Sequence, residues 1–155
     1  MTLNPGDIAP DFSLLDADGN VVHMSNLAGR RIVLYFYPRD NTPGCTKEAC
    51  GFRDAYSEYQ SLGVVVLGIS ADNPKSHAKF STKYKLPFPL LCDEDAVVAT
   101  AYGSYGLKKF MGKEFMGIFR STFVIGPDGK IEKIYRKVKP EPHAAEVLEY
   151  LKLSL

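Results

Sequence analysis

The sequence predicts an α/β fold: a mixed central sheet with helices on both faces and a β-hairpin at the N-terminus. Three observations predict it. Two apolar runs, Ile32–Tyr37 and Val64–Ile69, are rich in β-branched or aromatic residues and do not alternate, as in strands covered on both faces. Between them Ala49, Phe52, Tyr56 and Tyr59 fall at helical spacing, so the unit is a strand–helix–strand crossover with parallel pairing. Two turn-rich segments, Asp16–Asn20 and Gly126–Lys130, sit between short apolar stretches and read as antiparallel hairpins. Parallel and antiparallel pairs together make the sheet mixed.

In chain order, Phe12–Leu15 and Val21–His23 form the first hairpin. Ile32–Tyr37 is the first core strand. Thr42 is placed to cap the crossover helix, with Pro43 at the first helical position. After Val64–Ile69, Asn73 and Pro74 repeat the cap-then-proline pattern, and Phe80 and Tyr84 share a helix face behind them. Phe88–Leu91 is a short strand, and a helix is expected from about Asp93 to Ala101. Thr122–Ile125 and Ile131–Tyr135 form the second hairpin, and Ala144, Val147, Leu148 and Leu151 mark a final amphipathic helix. No linker, repeat or low-complexity segment interrupts the chain, so residues 1–155 read as one domain. A chain of this length buries roughly 69% of its unfolded surface, enough for a core without staples.

Composition excludes several classes. Lys+Arg 19 against Asp+Glu 18 leaves a net charge of +1, so bulk charge does not recruit nucleic acid. No apolar run approaches the ~20 residues of a membrane span. Met1–Asp7 lacks the basic and apolar regions of a signal peptide, which makes the cytoplasm the expected compartment. Three cysteines are too few for a secreted disulfide framework. In a reducing compartment the close pair Cys45 and Cys50 is reactive or metal-binding before it is structural. Asp16–Gly19 opens like a calcium loop but lacks the later ligands. There is no phosphate-binding glycine loop. His23, His77 and His143 are isolated from one another and from the cysteines, and read as surface or packing residues. Lys108-Lys109 reads as a solvated face.

The chemistry concentrates where the first core strand hands over to the crossover helix, the usual place for sites in open α/β sheets. Cys45 falls in the first turn of that helix. The leading N–H groups there lack internal partners and carry partial positive charge, which stabilises a thiolate. Cys50 lies mid-helix, where packing and reactivity are both open. Cys92 closes an apolar strand with no cap or partner near it and reads as a buried, inert thiol. Thr42 offers a hydroxyl three residues before Cys45, as cap or as ligand. Pro38 ends the strand and offers no donor. Arg120, read alone, is a solvated strand end.

Pro38, Thr42 and Cys45 fit the pattern Pro-x-x-x-Thr-x-x-Cys, and Tyr35–Pro38 leads into Thr42–Thr46 with Cys50 and Phe52–Asp54 behind. This stretch resembles the peroxiredoxin Q (bacterioferritin comigratory protein) branch of the peroxiredoxins. The resemblance runs from Gly6–Phe12 to the final helix and includes Met116–Phe123, with one departure: Tyr105 stands where relatives often carry tryptophan. It implies a thioredoxin-like fold and a thiol peroxidase acting on hydrogen peroxide and organic hydroperoxides. Cys45 would attack the O–O bond and become a sulfenic acid, and Cys50 would resolve it as an intramolecular disulfide. Thioredoxin or a similar dithiol would reduce that bond by exchange, with no bound cofactor or metal. Thr42 would orient the peroxide, Pro38 would shield the thiolate, and Arg120 would stabilise it and the developing charge. Resolution within one chain favours a monomer. Two other classes compete. A thioredoxin-type disulfide oxidoreductase would want Cys-x-x-Cys, and here four residues intervene. A non-enzymatic metal module would have three thiols without an obvious fourth ligand.

One expectation is geometric. If Cys45 and Cys50 share a regular helix, five residues leave them ~140° apart around the axis with their Cα atoms about 8.7 Å apart. A disulfide needs roughly 4.4–6.8 Å. The helix must therefore unwind each time the bond forms, and Gly44 and Gly51 make that segment easier to melt.

Overall fold

The computed structural model describes residues 2–154. The N-terminal hairpin is β1 (Ser13–Leu15) and β2 (Val21–His23), followed by a 3₁₀ turn at Met24–Leu27. Then come β3 (Arg31–Phe36), α1 (Pro43–Asp54), α2 (Tyr56–Ser61) and β4 (Val64–Ser70). The chain continues through α3 (Pro74–Tyr84), β5 (Leu90–Cys92), α4 (Val97–Ala101), β6 (Tyr105–Phe110) and β7 (Lys113–Ile118). It closes with β8 (Ser121–Ile125), β9 (Ile131–Tyr135) and α5 (His143–Leu153). Seven strands form one sheet in the order β2-β1-β5-β4-β3-β8-β9. β3, β4 and β5 are parallel, and the outer strands join antiparallel, which is the mixed sheet expected.

β3 shows why its sequence does not alternate. Val33, Tyr35 and Tyr37 face one core with Ala49, Phe52, Tyr59, Phe80, Val147 and Leu151 from α1, α2, α3 and α5. Ile32, Leu34 and Phe36 face a second core with Met24, Ala99, Tyr102 and Phe123. Both sides of the strand are dry from Ile32 onward, so every position after Arg31 is apolar or aromatic. The turn at Asp16–Asn20 is held by Asp16 itself, whose Oδ1 accepts from the Asp18 and Asn20 N–H groups at 2.9 and 3.0 Å. Turn chemistry thus accounts for that segment.

Three expectations need correction, beyond shifts of a residue or two at strand ends. The crossover helix is two helices, broken at Ala55 (φ −94°, ψ 0°). The helix expected from Asp93 begins at Val97. Asp93 instead turns back onto it, its carboxylate accepting from the Val98 and Ala99 N–H groups at 3.1 and 2.8 Å. The third is β6–β7, a separate two-stranded hairpin. Its turn is Met111-Gly112 with φ of 52° and 79°, a two-residue turn without the usual Asn-Gly or Asp-Gly signal. Lysines and exposed apolar residues on both faces leave it no period-two pattern to read.

Candidate active site

β3 ends inside the protein and the chain turns through Tyr37–Asn41 into α1. Thr42 takes the extended conformation of a cap (φ −91°, ψ 156°), and Pro43 follows at the first helical position. The first bond of the turn runs from the Thr46 N–H to the Thr42 carbonyl at 2.8 Å, so the Gly44 and Cys45 N–H groups lie ahead of the ladder. The Thr42 hydroxyl does not cap the helix. It donates to the Arg39 carbonyl at 3.0 Å, which leaves its lone pairs free to accept.

Cys45 is buried, at 1% exposure. Arg120, in the short link between β7 and β8, reaches it across the helix mouth: Nη2 donates to Sγ at 3.4 Å. Nη1 of the same guanidinium donates to Glu48 Oε1 at 2.7 Å. Gly44 permits this approach, because a Cβ there would lie 3.1 Å from Arg120 Nη2. The arginine is therefore not the solvated strand end that its position alone suggests.

Glu48 was not among the residues singled out from sequence. It sits three residues after Cys45 on the inward face of α1, fully buried. Burial pushes its carboxyl up to about 7, with Arg120 pulling in the opposite direction. Among the described residues Oε2 has no hydrogen-bond partner, and neither has the hydroxyl of Tyr35 on β3. Burial, then Glu48 and Cys45, holds that phenol well above the ordinary range. The available signal was spacing: an acid at i+3 from Cys45, with Ala49 and Phe52, belongs to the buried stripe. Lys108 on β6 also differs from the expected solvated face. It is half-buried and Nζ donates to the Ile118 carbonyl at 2.9 Å, while Lys109 is exposed.

The other residues singled out lie as follows. Pro38 is half-buried, just past β3 on the loop that leads to Thr42. Cys50 is on α1, half-buried and off the stripe that carries Cys45, and both thiols are free. Cys92 is buried at the end of β5, and burial followed by Glu94, Asp40, Asp16 and Asp72 pushes its thiol up to about 12. His23 is exposed, but His77 and His143 are buried and hydrogen-bonded. Among the described residues Asp40, Asp72 and His77 are near enough to share an ion, yet hydroxyl and N–H donors already occupy their carboxylates.

A free thiol at a helix start, bonded to a half-buried arginine, is equipped for attack on an electrophile. Residues 5–134 match the model of the AhpC/TSA family. The chain belongs to that family. It is 48% identical over 152 residues to "Peroxiredoxin Bcp" of Bacillus subtilis, covering 98% of this chain and 97% of that one. It is likewise 48% identical over 150 residues to "Peroxiredoxin Bcp" of Escherichia coli, covering 97% and 96%. The fold matches a peroxiredoxin Q variant from Xylella fastidiosa with a TM-score of 0.94 at 35% identity, over 99% of this chain and 98% of that one. It matches the bacterioferritin comigratory protein of Xanthomonas campestris, described for alkyl peroxide reduction, with a TM-score of 0.87 at 38% identity over 92% and 91%. The chain is thus a thiol-dependent peroxidase of the peroxiredoxin Q branch with a thioredoxin-like fold. As a peroxiredoxin it acts on peroxides and takes its electrons from a thiol reductant. No helix among its described residues is long and apolar enough to cross a membrane.

Proposed function

We propose that residues 1–155 work as one monomeric, cytoplasmic domain that reduces hydrogen peroxide and organic hydroperoxides through Cys45. The observation that carries this reading is the 3.4 Å contact from Arg120 Nη2 to Cys45 Sγ at the start of α1. The thiolate attacks the nearer peroxide oxygen. The O–O bond breaks, the leaving oxygen departs as water or alcohol with the peroxide's own proton, and Cys45 is left as a sulfenate that takes up one proton to become a sulfenic acid. Thr42 accepts the peroxide O–H with the lone pairs its own hydrogen bond leaves free, which aims the O–O axis at sulfur. Arg120 donates to sulfur and to the oxygens on which charge builds. Pro38 offers no N–H and keeps water from the mouth of the helix.

Cys50 then displaces the sulfenic hydroxyl, forming the Cys45–Cys50 disulfide and releasing water. Both cysteines lie within α1, so the first turns unwind for this step. Thioredoxin or a similar dithiol returns the pair to thiols by exchange. The organic substrates are supported by the alkyl peroxide reduction described for the Xanthomonas relative, and a monomer by a resolving cysteine on the same helix.

The test is peroxide consumption in stopped flow with thioredoxin, thioredoxin reductase and NADPH. Wild type turns over. Cys50→Ser consumes about one equivalent of peroxide and then stalls, and a sulfenic-acid probe labels Cys45. Thioredoxin-dependent turnover at the wild-type rate in that variant would remove Cys50 from the cycle.

A further inference from the structure

Cys45 and Glu48 are two buried acids on one face of one helix turn, and a single guanidinium bonds both. With both ionised, the pocket holds two anions against that one bonded cation. Burying an anion without a matched partner is strongly unfavourable. The remaining charged groups do not supply a second partner. Lys108 acts on Cys45 only through space: its Nζ donates to the Ile118 carbonyl, and burial, then Arg120, hold its own pKa down. His143 on α5 is shifted toward its neutral form by burial, although Glu146 opposes this, and it bonds Thr122 and Glu146. Tyr35 from β3 is a neutral phenol. Among the described residues, the oxygen of Glu48 that Arg120 does not reach has no hydrogen-bond partner, so a negative charge there would be unsolvated and the neutral carboxyl is the cheaper form.

We propose that Glu48 holds the proton Cys45 gives up when it becomes a thiolate, and returns it during oxidation. This rests on Cys45 being the peroxide-attacking thiol. The reduced site is then thiolate, Arg120 cation and neutral Glu48. When the thiolate takes the peroxide oxygen, the peroxide's own proton leaves with the alcohol or water, and sulfur is left as a sulfenate. Glu48 protonates the sulfenate and becomes a carboxylate. The Cys50 thiol condenses with the sulfenic acid to give the disulfide and water. In sum, thiolate, thiol, neutral carboxyl and hydroperoxide give disulfide, alcohol, water and carboxylate, with no proton exchanged with solvent. Reduction by a dithiol restores two thiols, and Glu48 takes the Cys45 proton back as α1 re-forms.

The same transfer assists the unwinding. A neutral Glu48 is compatible with burial, whereas a carboxylate gains hydration by leaving with the helix. Oxidation thus produces the charge state that favours the open segment.

Two measurements on the reduced full-length protein test this. In the first, one equivalent of peroxide is mixed with protein and a pH indicator in weak buffer at about pH 6, below the Glu48 titration. Wild type and Glu48→Gln are expected to differ by one proton per peroxide, the variant taking up the extra one. Glutamine keeps the acceptor for Arg120 but has no proton to give. In the second, the infrared difference spectrum of wild type loses a protonated-carboxyl band on oxidation, and this loss is missing in the variant. Should Glu48→Gln not fold, the band in wild type alone decides. Equal proton counts, or a wild-type carboxyl band that survives formation of the Cys45–Cys50 bond, would overturn the proposal. Absence of any thiol loss with peroxide would instead overturn Cys45 as the nucleophile.

Discussion

Two buried ionic clusters flank the loop between β3 and α1, and they differ in completeness. Around Asp40 every position is filled. Oδ1 accepts from the Tyr37 hydroxyl at 2.6 Å, and Oδ2 accepts from Ser76 Oγ at 2.8 Å and His77 Nδ1 at 2.7 Å. Its N–H donates to Asp72 at 2.8 Å, and His77 Nε2 donates to the Leu91 carbonyl at 2.8 Å. Both ring nitrogens face acceptors, and although burial lowers the His77 pKa, Asp40 outweighs it and the net shift favours the imidazolium. Around Glu48 the pattern is broken, with one arginine for two acids and two polar atoms left without partners. A saturated network fixes one geometry, and removing any member strands the others. An unsaturated one holds groups ready to change charge. The saturated cluster anchors the loop at one end of α1. The unsaturated one lies on the inward face of α1, the helix that the proposed cycle unwinds.

The sharpest way to break this contrast is Cys45→Ser. It should abolish peroxide turnover in the coupled assay and leave the thermal transition almost unchanged, because it removes a reacting atom and no support. Asp40→Ala should do the reverse to the fold. It strands His77, Tyr37 and Ser76, and chemical denaturation should show a loss of about 3–5 kcal/mol. Arg120→Ala removes a donor from the reacting sulfur and should slow the reaction with peroxide at least tenfold, about 1.4 kcal/mol of barrier.

The smallest effects are in pH. The carboxyl of Glu48 is raised to about 7 by burial, so the folded state loses stability as pH climbs from the unfolded value of about 4.3 through 7. For His77, burial alone lowers the pKa, but Asp40 outweighs it and the net shift is upward. Its contribution is complete below the unfolded value of about 6.5 and is lost as pH rises through the folded one. Unfolding curves against pH should therefore lose their acid-side slope in Glu48→Gln and their alkaline-side slope in His77→Asn. Parallel curves for the two variants would show that the clusters titrate as one.

The parts of the fold that could be read in advance are those where one physical requirement dominates. Continuous apolar runs marked β3 and β4 because both faces are dry. Cap and proline marked the starts of α1 and α3. The Pro38, Thr42 and Cys45 pattern pointed to the candidate site. What was hidden depends on contacts distant in sequence. Glu48 and Arg120 are 72 positions apart, and Asp40 and His77 are 37 apart. Nothing local distinguishes His77 from a packing histidine or Arg120 from a solvated strand end. The break at Ala55 leaves no mark because alanine suits either side of it. The β6–β7 hairpin escapes for the opposite reason: it has little to bury, so it has no pattern.

That break at Ala55 also determines how the molecule looks to a protease. A protease cleft takes extended chain, and in the reduced form Lys47 and Arg53 are wound into α1. In the proposed cycle, forming the disulfide releases that stretch. The next helix stays in place, because the Tyr59 hydroxyl donates to the Ala144 carbonyl at 2.6 Å and its ring is fully buried. The part of tryptic nicking that follows the redox state then falls at the bonds after Lys47 and Arg53. The oxidised enzyme is marked for cleavage at the segment that carries its chemistry, while the sheet behind it remains closed.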